Sequence, residues 1–134
     1  MLGDMNARLG MHRQRDTEEW VLSSETGKAI GAIKPEKENL NGEVVRGICE
    51  RQKLAVIGTH FKANDTYYGL AEDVQTSSRI DYQIIPEAAL SKVLEYKVDL
   101  DLARALQKIP DRRLRDHAPT LATYELALTY EGEV

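Results

Sequence analysis

The chain is poor in cysteine and in large aromatic residues, with one Cys, one Trp and one Phe among 134 residues. The single cysteine, Cys49, excludes an internal disulfide and is compatible with a reducing compartment. Basic residues are not in excess: 18 Lys and Arg stand against 22 Asp and Glu, for a formal net charge of −4. This balance argues against a protein whose main task is to coat nucleic acid, but it leaves room for an enzyme that contacts a few phosphates.

Long apolar runs are also lacking. No stretch approaches the ~20 residues that a membrane-spanning helix needs, and the first residues lack the basic and apolar regions of a secretory signal. We therefore expect an intracellular protein, in the nucleus or cytoplasm, without a membrane partner. The length fits one domain, and 42% apolar and 30% charged residues are ordinary for a globular protein.

The central part of the sequence predicts a helix followed by a buried strand. From Asn41 onward, an apolar stripe recurs at helical spacing in Val44, Val45, Ile48 and Cys49. The segment 53–61 is continuously apolar, as is typical of a strand covered on both faces. A helix that leads into a covered strand favours a layered α/β (α+β) architecture over a helix bundle.

Further elements are predicted from the apolar pattern and from the positions of glycine and proline. Residues 8–38 are polar and turn-rich, and we expect an irregular surface segment anchored to the core by Trp20, Val21 and Leu22. Pro86 should end one strand and open a helical turn. The remaining predictions are strands at 1–5, 79–85, 94–100 and 118–129, a short helix at 102–106 and a basic loop at 109–115.

Three short acidic motifs place carboxylates beside apolar runs. They are Gly3-Asp4-Met5-Asn6, Ser78-Arg79-Ile80-Asp81-Tyr82 and Asp116-His117. Each has a plain structural alternative. Asp4 and Asn6 suit a turn, Asp81 could pair with Arg79 on the same strand face, and Asp116 could end a loop. A carboxylate in an apolar strand costs several kcal/mol unless it is paired or hydrogen-bonded, so Asp81 needs a partner.

In their order, the three motifs resemble the second half of the endonuclease/exonuclease/phosphatase superfamily. The sequence between the motifs also looks like the branch of this superfamily that is found in retrotransposon-encoded endonucleases and in craniofacial-development-protein-like genes. The matching pieces there are Asn41-Gly42 before a helix, Thr59-His60-Phe61 at a strand end, and Thr66-Tyr67-Tyr68-Gly69. The resemblance implies the C-terminal half of a four-layer α/β sandwich over residues 1–130, with 131–134 frayed.

The resemblance also implies hydrolysis of phosphodiester or phosphomonoester bonds with Mg²⁺ or Mn²⁺. Asp4 would orient or deprotonate the attacking water, and Asn6 would donate to the phosphate or support the metal. Asp81 would hold the imidazole of His117, which would contact the scissile phosphate. Asp116, together with Asp4, would bind the metal. The expected partner is nucleic acid or another phosphodiester.

One departure and one gap qualify the implied site. Arg115 stands where the superfamily usually has Ser before the Asp-His pair, and Arg113 and Arg115 are candidate phosphate contacts beside Asp116. Relatives carry an Asn, a metal-binding Glu and a Tyr or His upstream of the first motif, and nothing precedes Met1 here. We therefore expect a fragment that holds its metal weakly, is inactive in isolation and self-associates through exposed sheet surface.

The main alternative is a non-catalytic α/β binding or interaction module whose motifs match by chance. Other site patterns are weak. Cys49 lies on the apolar helix stripe and is expected in the core. His60 follows a buried strand and is expected to be a structural histidine. The cysteine and the three histidines lack the spacing of a zinc site.

Overall fold

The computed structural model describes residues 2–125, which form a mixed α/β structure with several small sheets. The strands are β1 Leu2–Asp4, β2 Gly10–Arg13, β3 Trp20–Leu22, β4 Glu36–Lys37, β5 Leu54–Val56, β6 Tyr67–Ala71, β7 Val74–Ser78, β8 Asp81–Pro86, β9 Val93–Val98, β10 Asp116–His117 and β11 Thr120–Tyr124. The α-helices are α1 Leu40–Gln52 and α2 Leu100–Leu106, and single 3-10 turns occupy Ser23–Thr26, Ile57–Thr59 and Glu87–Lys92.

Four sheets are built from these strands within the described residues. β8 is the centre of one sheet and pairs antiparallel with β1 on one side and β5 on the other. β6 is the centre of a second sheet, flanked by β10 and β7. β9 pairs with β11, while β2 pairs antiparallel with β3 and parallel with β4. β1, β8 and β10 carry the acidic motifs.

Helix α1 begins and ends at defined caps. The side chain of Asn39 accepts a hydrogen bond from the backbone N–H of Gly42 at 2.8 Å, which satisfies one of the free donors of the first turn. The helix ends at Lys53, which has a left-handed backbone. Asn39 also accepts from the backbone N–H of Arg8 and donates to the backbone oxygen of Asn6. The cap therefore fixes the helix start against the first acidic motif.

The predicted apolar stripe of α1 is only partly buried. Cys49 is buried and Val45 packs against the core, as expected. Val44 and Ile48, however, are 55% and 38% exposed. The prediction was wrong for these two because only a narrow side of the helix contacts the sheet. Neither described helix has the length and apolar character that crossing a membrane requires.

Two hydrophobic clusters form the core. The first lies between α1 and the β1–β8–β5 sheet and centres on Leu9, Ile30, Val56, Tyr82 and Ile84. The second lies around β9 and includes Ile57, Val93, Tyr96, Val98 and Leu114. Along β8 and the residue before it, Ile80, Tyr82 and Ile84 are all buried, which confirms the predicted strand face.

The segment 8–38 is attached to the core by residues other than those expected. Trp20 and Leu22 are exposed, because β3 lies at the edge of its small sheet. Leu9, Ala29 and Ile30 enter the first cluster instead. The prediction of an anchor at Trp20–Leu22 was therefore wrong, since a short apolar run at a sheet edge has no covering layer.

The apolar segment 53–61 forms two elements rather than one strand. β5 ends at Val56, and a buried 3-10 turn follows at Ile57–Thr59. The hydroxyl of Thr59 donates to the backbone oxygen of Val56 and accepts from the backbone N–H of Gly31. These bonds close the turn locally. A continuously buried run does not distinguish strand from turn, which is why the pattern predicted the longer strand.

The other predicted elements are largely confirmed. The 3-10 turn after Pro86, the strand at Val93–Val98 and the helix at Leu100–Leu106 all lie where expected. The closing strand spans Thr120–Tyr124, and residues 126–129 of the prediction lie outside the described residues. Met1 and the expected frayed end at 131–134 lie outside them as well. The β6–β7 hairpin was not predicted, because its strand β7 is polar and exposed.

Candidate metal-binding and catalytic site

Strand pairing brings two of the acidic motifs together. In the antiparallel ladder between β1 and β8, Asp4 lies directly opposite Asp81. Residues opposite one another share a sheet face, and like charges in that position repel. The arrangement therefore favours a positive group between or beside the two carboxylates.

His117 occupies this position. Its Nδ1 atom donates to Asp81 Oδ2 at 2.8 Å, and its Nε2 atom lies 3.6 Å from Asp4 Oδ2. One imidazole thus contacts both carboxylates, from strands that are far apart in the sequence. The site is open to solvent on one side, since the side chains of Asp4 and His117 are about half-exposed while Asp81 is mostly buried.

Two neighbours position the imidazole. In the β10–β6 ladder His117 lies opposite Tyr67, and the two rings are in tilted contact with centroids 5.0 Å apart. The side-chain hydroxyl of buried Thr66 accepts from the backbone N–H groups of Ile80 and Asp81, both at 3.0 Å. The backbone oxygen of Thr66 accepts from Ala118 N–H at 2.7 Å. Thr66 therefore joins the segments that carry Asp81 and His117.

The pKa of His117 is shifted by opposing effects. Burial lowers it, but the hydrogen bond and charge of Asp81, together with the charges of Asp4 and Asp116, outweigh burial and raise the pKa above its usual value. The protonated imidazole, with a proton on each ring nitrogen, is thereby favoured. Nδ1–H is held by Asp81, and Nε2–H lies on the side of Asp4.

Asp4 and Asn6 also form the turn that the sequence alternative proposed. Asp4 Oδ1 accepts from the backbone N–H of Asn6 at 3.0 Å, and Asn6 has a left-handed backbone with φ 46°. The backbone oxygen of Asn6 accepts from the side-chain amides of Asn39 and Asn41. The turn leaves Asp4 Oδ2 directed toward His117, so the turn and the cluster share one residue.

Asp81 does not pair with Arg79, so that alternative was wrong. β8 begins at Asp81, and Arg79 precedes it rather than alternating with it. The guanidinium of Arg79 is buried and donates to the backbone oxygens of Leu9, Ile33, Lys34 and Gly58. Arg79 thus cross-links loops, and His117 is the partner that the Asp81 carboxylate needs.

Asp116 and the two arginines lie at the margin of the site. Asp116 is exposed, has a left-handed backbone with φ 86°, and accepts from the backbone N–H of His117 at 2.9 Å. It is not part of the three-residue cluster. Arg113 bonds to Asp111 and Asp73, and Arg115 lies 3.7 Å from Asp111. Both candidate phosphate contacts are therefore engaged by carboxylates in this state.

The donor set meets part of what a divalent cation needs. Asp4, Asp81 and His117 offer ligand atoms that all lie within 4.8 Å of one another. Two carboxylates suit Mg²⁺ or Mn²⁺, and the imidazole adds a ligand for Mn²⁺ or another transition metal only in its neutral form. The set therefore fits a divalent cation with few protein ligands.

A shallow cavity of about 280 Å³ opens beside the cluster. Its lining includes Asp81 and His117 on one side and Leu106, Pro119 and Thr120 on the other. It leaves the imidazole accessible to a small chemical group.

The structural expectations for the remaining candidates are confirmed: Cys49 is buried in the core, and His60 Nε2 lies 2.9 Å from the backbone oxygen of Lys28.

Sequence reasoning assigned no role to Thr66 or Tyr67, although both belong to a segment that carried the resemblance. The signal available in the sequence was a threonine followed by two tyrosines at the start of a strand.

Comparisons of the chain with protein-family models, with curated proteins and with solved structures found no match.

Proposed function

We propose that this chain carries the catalytic centre of a metal-dependent phosphodiester hydrolase of the endonuclease/exonuclease/phosphatase kind, folded as part of that superfamily's α/β sandwich. The observation that supports the proposal is the contact of His117 with both Asp4 and Asp81 at one open edge of the structure. The superfamily resemblance assigned roles to these same three residues. A nucleic-acid strand or a smaller phosphodiester is the proposed substrate.

The chemistry follows from the geometry of the three side chains. Asp81 fixes the imidazole through Nδ1, which directs Nε2 toward the open side of the site. Protonated Nε2 then donates to a phosphate oxygen on which negative charge develops. The carboxylate of Asp4 accepts the proton of the attacking water as the water oxygen bonds to phosphorus; the P–O bond to the leaving group breaks, and the leaving oxygen takes a proton from solvent. A Mg²⁺ or Mn²⁺ ion held beside Asp4 would supply charge neutralisation at the phosphate.

Metal binding and turnover by these 134 residues should both be weak. Asp81 is engaged by the imidazole, and an imidazole protonated on both nitrogens has no lone pair for a cation, so Asp4 is the main metal ligand that the cluster provides. A divalent cation held by so few ligands is bound loosely. Asn6 on the turn and Asp116 beside His117 are proposed as supporting ligands or phosphate contacts, and Arg113 and Arg115 as contacts once a phosphate displaces their carboxylate partners.

Self-association is proposed as a further property of the isolated chain. On the β9–β11 sheet Leu94 is 61% and Leu121 is 43% exposed. Exposed apolar side chains on a short two-stranded sheet favour association with another apolar surface.

Cleavage of supercoiled plasmid DNA tests the proposed activity. We expect little or no nicking by these 134 residues alone; the slow nicking that Mn²⁺ supports should be abolished by EDTA and reduced at least tenfold by His117→Ala. His12→Ala is the matched control, because His12 lies 2.8 Å from Ser23 Oγ and outside the cluster. Equal nicking by the wild type and His117→Ala, or nicking that survives EDTA, would exclude the proposed site.

A further inference from the structure

A second cavity, of about 360 Å³, lies beside the segment that leads into β8. Its walls include the apolar side chains of Ile33, Phe61 and Ala63, and Arg79 and Tyr96 also line it. The rings of Phe61 and Tyr96 are in tilted contact, 6.3 Å between centroids. None of these residues belongs to the proposed catalytic cluster. Cavities of this size and character accommodate small organic molecules.

Two buried polar atoms at this cavity are unsatisfied. Arg79 is 4% and Tyr96 is 5% exposed, yet Arg79 Nε and Tyr96 Oη have no hydrogen-bond partner among the described residues. Unpartnered buried polar groups are rare in folded proteins and cost roughly 1–3 kcal/mol each. Both residues also approach Gly58: Arg79 donates to its backbone oxygen, and an added Cβ there would lie 2.9 Å from Tyr96 Oη.

The cavity also carries positive charge. The four partners of Arg79 are backbone oxygens, and no carboxylate forms an ion pair with it in the part of the chain that the structure describes. Lys62 is exposed on the cavity lining. Lys34 also lines the cavity but is already paired with Asp65. The described residues that line the cavity itself include three cationic side chains and no carboxylate, so its lining favours an anion, while the carboxylates of Glu36 and Asp65 act on Arg79 from outside the lining.

We propose that this cavity binds a small organic anion: an oxyanion, carboxylate or phosphate monoester, attached to one flat apolar group. The oxyanion bonds to Arg79 Nε and Tyr96 Oη and is attracted by Lys62, and the apolar group lies against Phe61 and Ile33. Arg79 is fixed by its four carbonyl partners, so a small movement of the Tyr96 ring is what admits the ligand. The site is independent of the proposed hydrolase activity.

The test uses benzoate, phenyl phosphate and benzyl alcohol as probes, followed by NMR chemical shifts of the full chain. We expect both anions to shift the signals of Phe61, Ala63 and Tyr96, with dissociation constants of about 1 mM or tighter. Benzyl alcohol, which lacks the charge, should bind at least tenfold more weakly. The tighter of the two anions identifies whether carboxylate or phosphate is the preferred group.

Two variants with the same charge change provide the control. Lys62→Glu should weaken both anions at least tenfold. Lys92→Glu changes an exposed lysine on the 3-10 turn Glu87–Lys92, away from the cavity, and should leave binding unchanged. Tyr96→Phe should also weaken binding while keeping the fold. Three results would each overturn the proposal. They are binding of benzyl alcohol as tight as that of the anions, an equal loss of affinity in both lysine variants, and no shift of the Phe61 and Tyr96 signals at about 10 mM probe. That concentration is about tenfold above the expected dissociation constant.

Discussion

Two buried tyrosines offer a matched test of the hydrogen bonding in the core. Tyr82 and Tyr96 lie in strands and are 1% and 5% exposed. The hydroxyl of Tyr82 lies 2.7 Å from the backbone oxygen of Ala7 and 2.6 Å from that of Arg79. The hydroxyl of Tyr96 has no partner among the described residues. Replacement by phenylalanine therefore removes hydrogen bonding in one case and an unsatisfied group in the other.

The expected changes differ in sign. Tyr82→Phe removes the single O–H donor that the backbone oxygens of Ala7 and Arg79 share, and should lower the free energy of unfolding by about 1–3 kcal/mol. Tyr96→Phe removes a buried hydroxyl that is not hydrogen-bonded, so the free energy of unfolding should stay the same or rise by up to about 1 kcal/mol. The ring packing is unchanged in both variants, so cavity effects should cancel.

Urea unfolding followed by circular dichroism measures both variants. The midpoint of Tyr82→Phe should fall by about 0.5–2 M with an unchanged m-value, and that of Tyr96→Phe should not fall. Equal losses in the two variants would show that the Tyr96 hydroxyl is bonded in solution. A neutral Tyr82→Phe would refute the view that the hydrogen bond donated by the Tyr82 hydroxyl is stabilising.

Three further expectations concern single residues. Asp81→Asn should lower the pKa of His117 in an NMR titration. Because the native pKa is raised, the stability that protonated His117 contributes is fully present below the unfolded pKa of 6.5 and is lost as pH rises through the native pKa. The stability of the variant should lose this dependence on pH. Arg79→Met should lower the free energy of unfolding by about 3 kcal/mol or more in urea, because four backbone oxygens lose a charged donor. Burial raises the pKa of Cys49 to about 11, so the native chain should react with a thiol reagent at pH 7 far more slowly than the urea-unfolded chain.

The parts of the fold that the sequence predicted are those set by local pattern. Helix α1 follows the helical apolar spacing predicted from Asn41 onward, although its cap is Asn39, and β8 alternates buried and less buried residues up to Pro86. Both signals depend only on neighbours in the chain. Exposure of Trp20 and Leu22 depends instead on which strands lie next to β3, and that information is not local.

In the candidate site, too, some features could be predicted from the sequence and others required the folded structure. The resemblance named Asp4, Asp81 and His117; the strand register places Asp4 opposite Asp81, and His117 reaches both from a neighbouring sheet. The role of Arg79 could not be read from its position beside Asp81, because its four partners lie on three distant segments. The contribution of Thr66 likewise requires the pairing of β6 and β10, which no local pattern predicted.

The most direct test of the central claim is where Mn²⁺ binds. The ion broadens NMR signals of nearby nuclei, so a titration locates it without any need for turnover. We predict selective broadening of the backbone signals of Asp4, Asp81 and His117, with a dissociation constant of about 0.1 mM or weaker because of the small ligand set, and loss of the effect in Asp4→Asn. Broadening centred elsewhere, such as the acidic turn at Asp16–Glu19, or none at several-fold excess over this constant, would contradict the claim that a divalent cation binds beside the cluster of Asp4, Asp81 and His117.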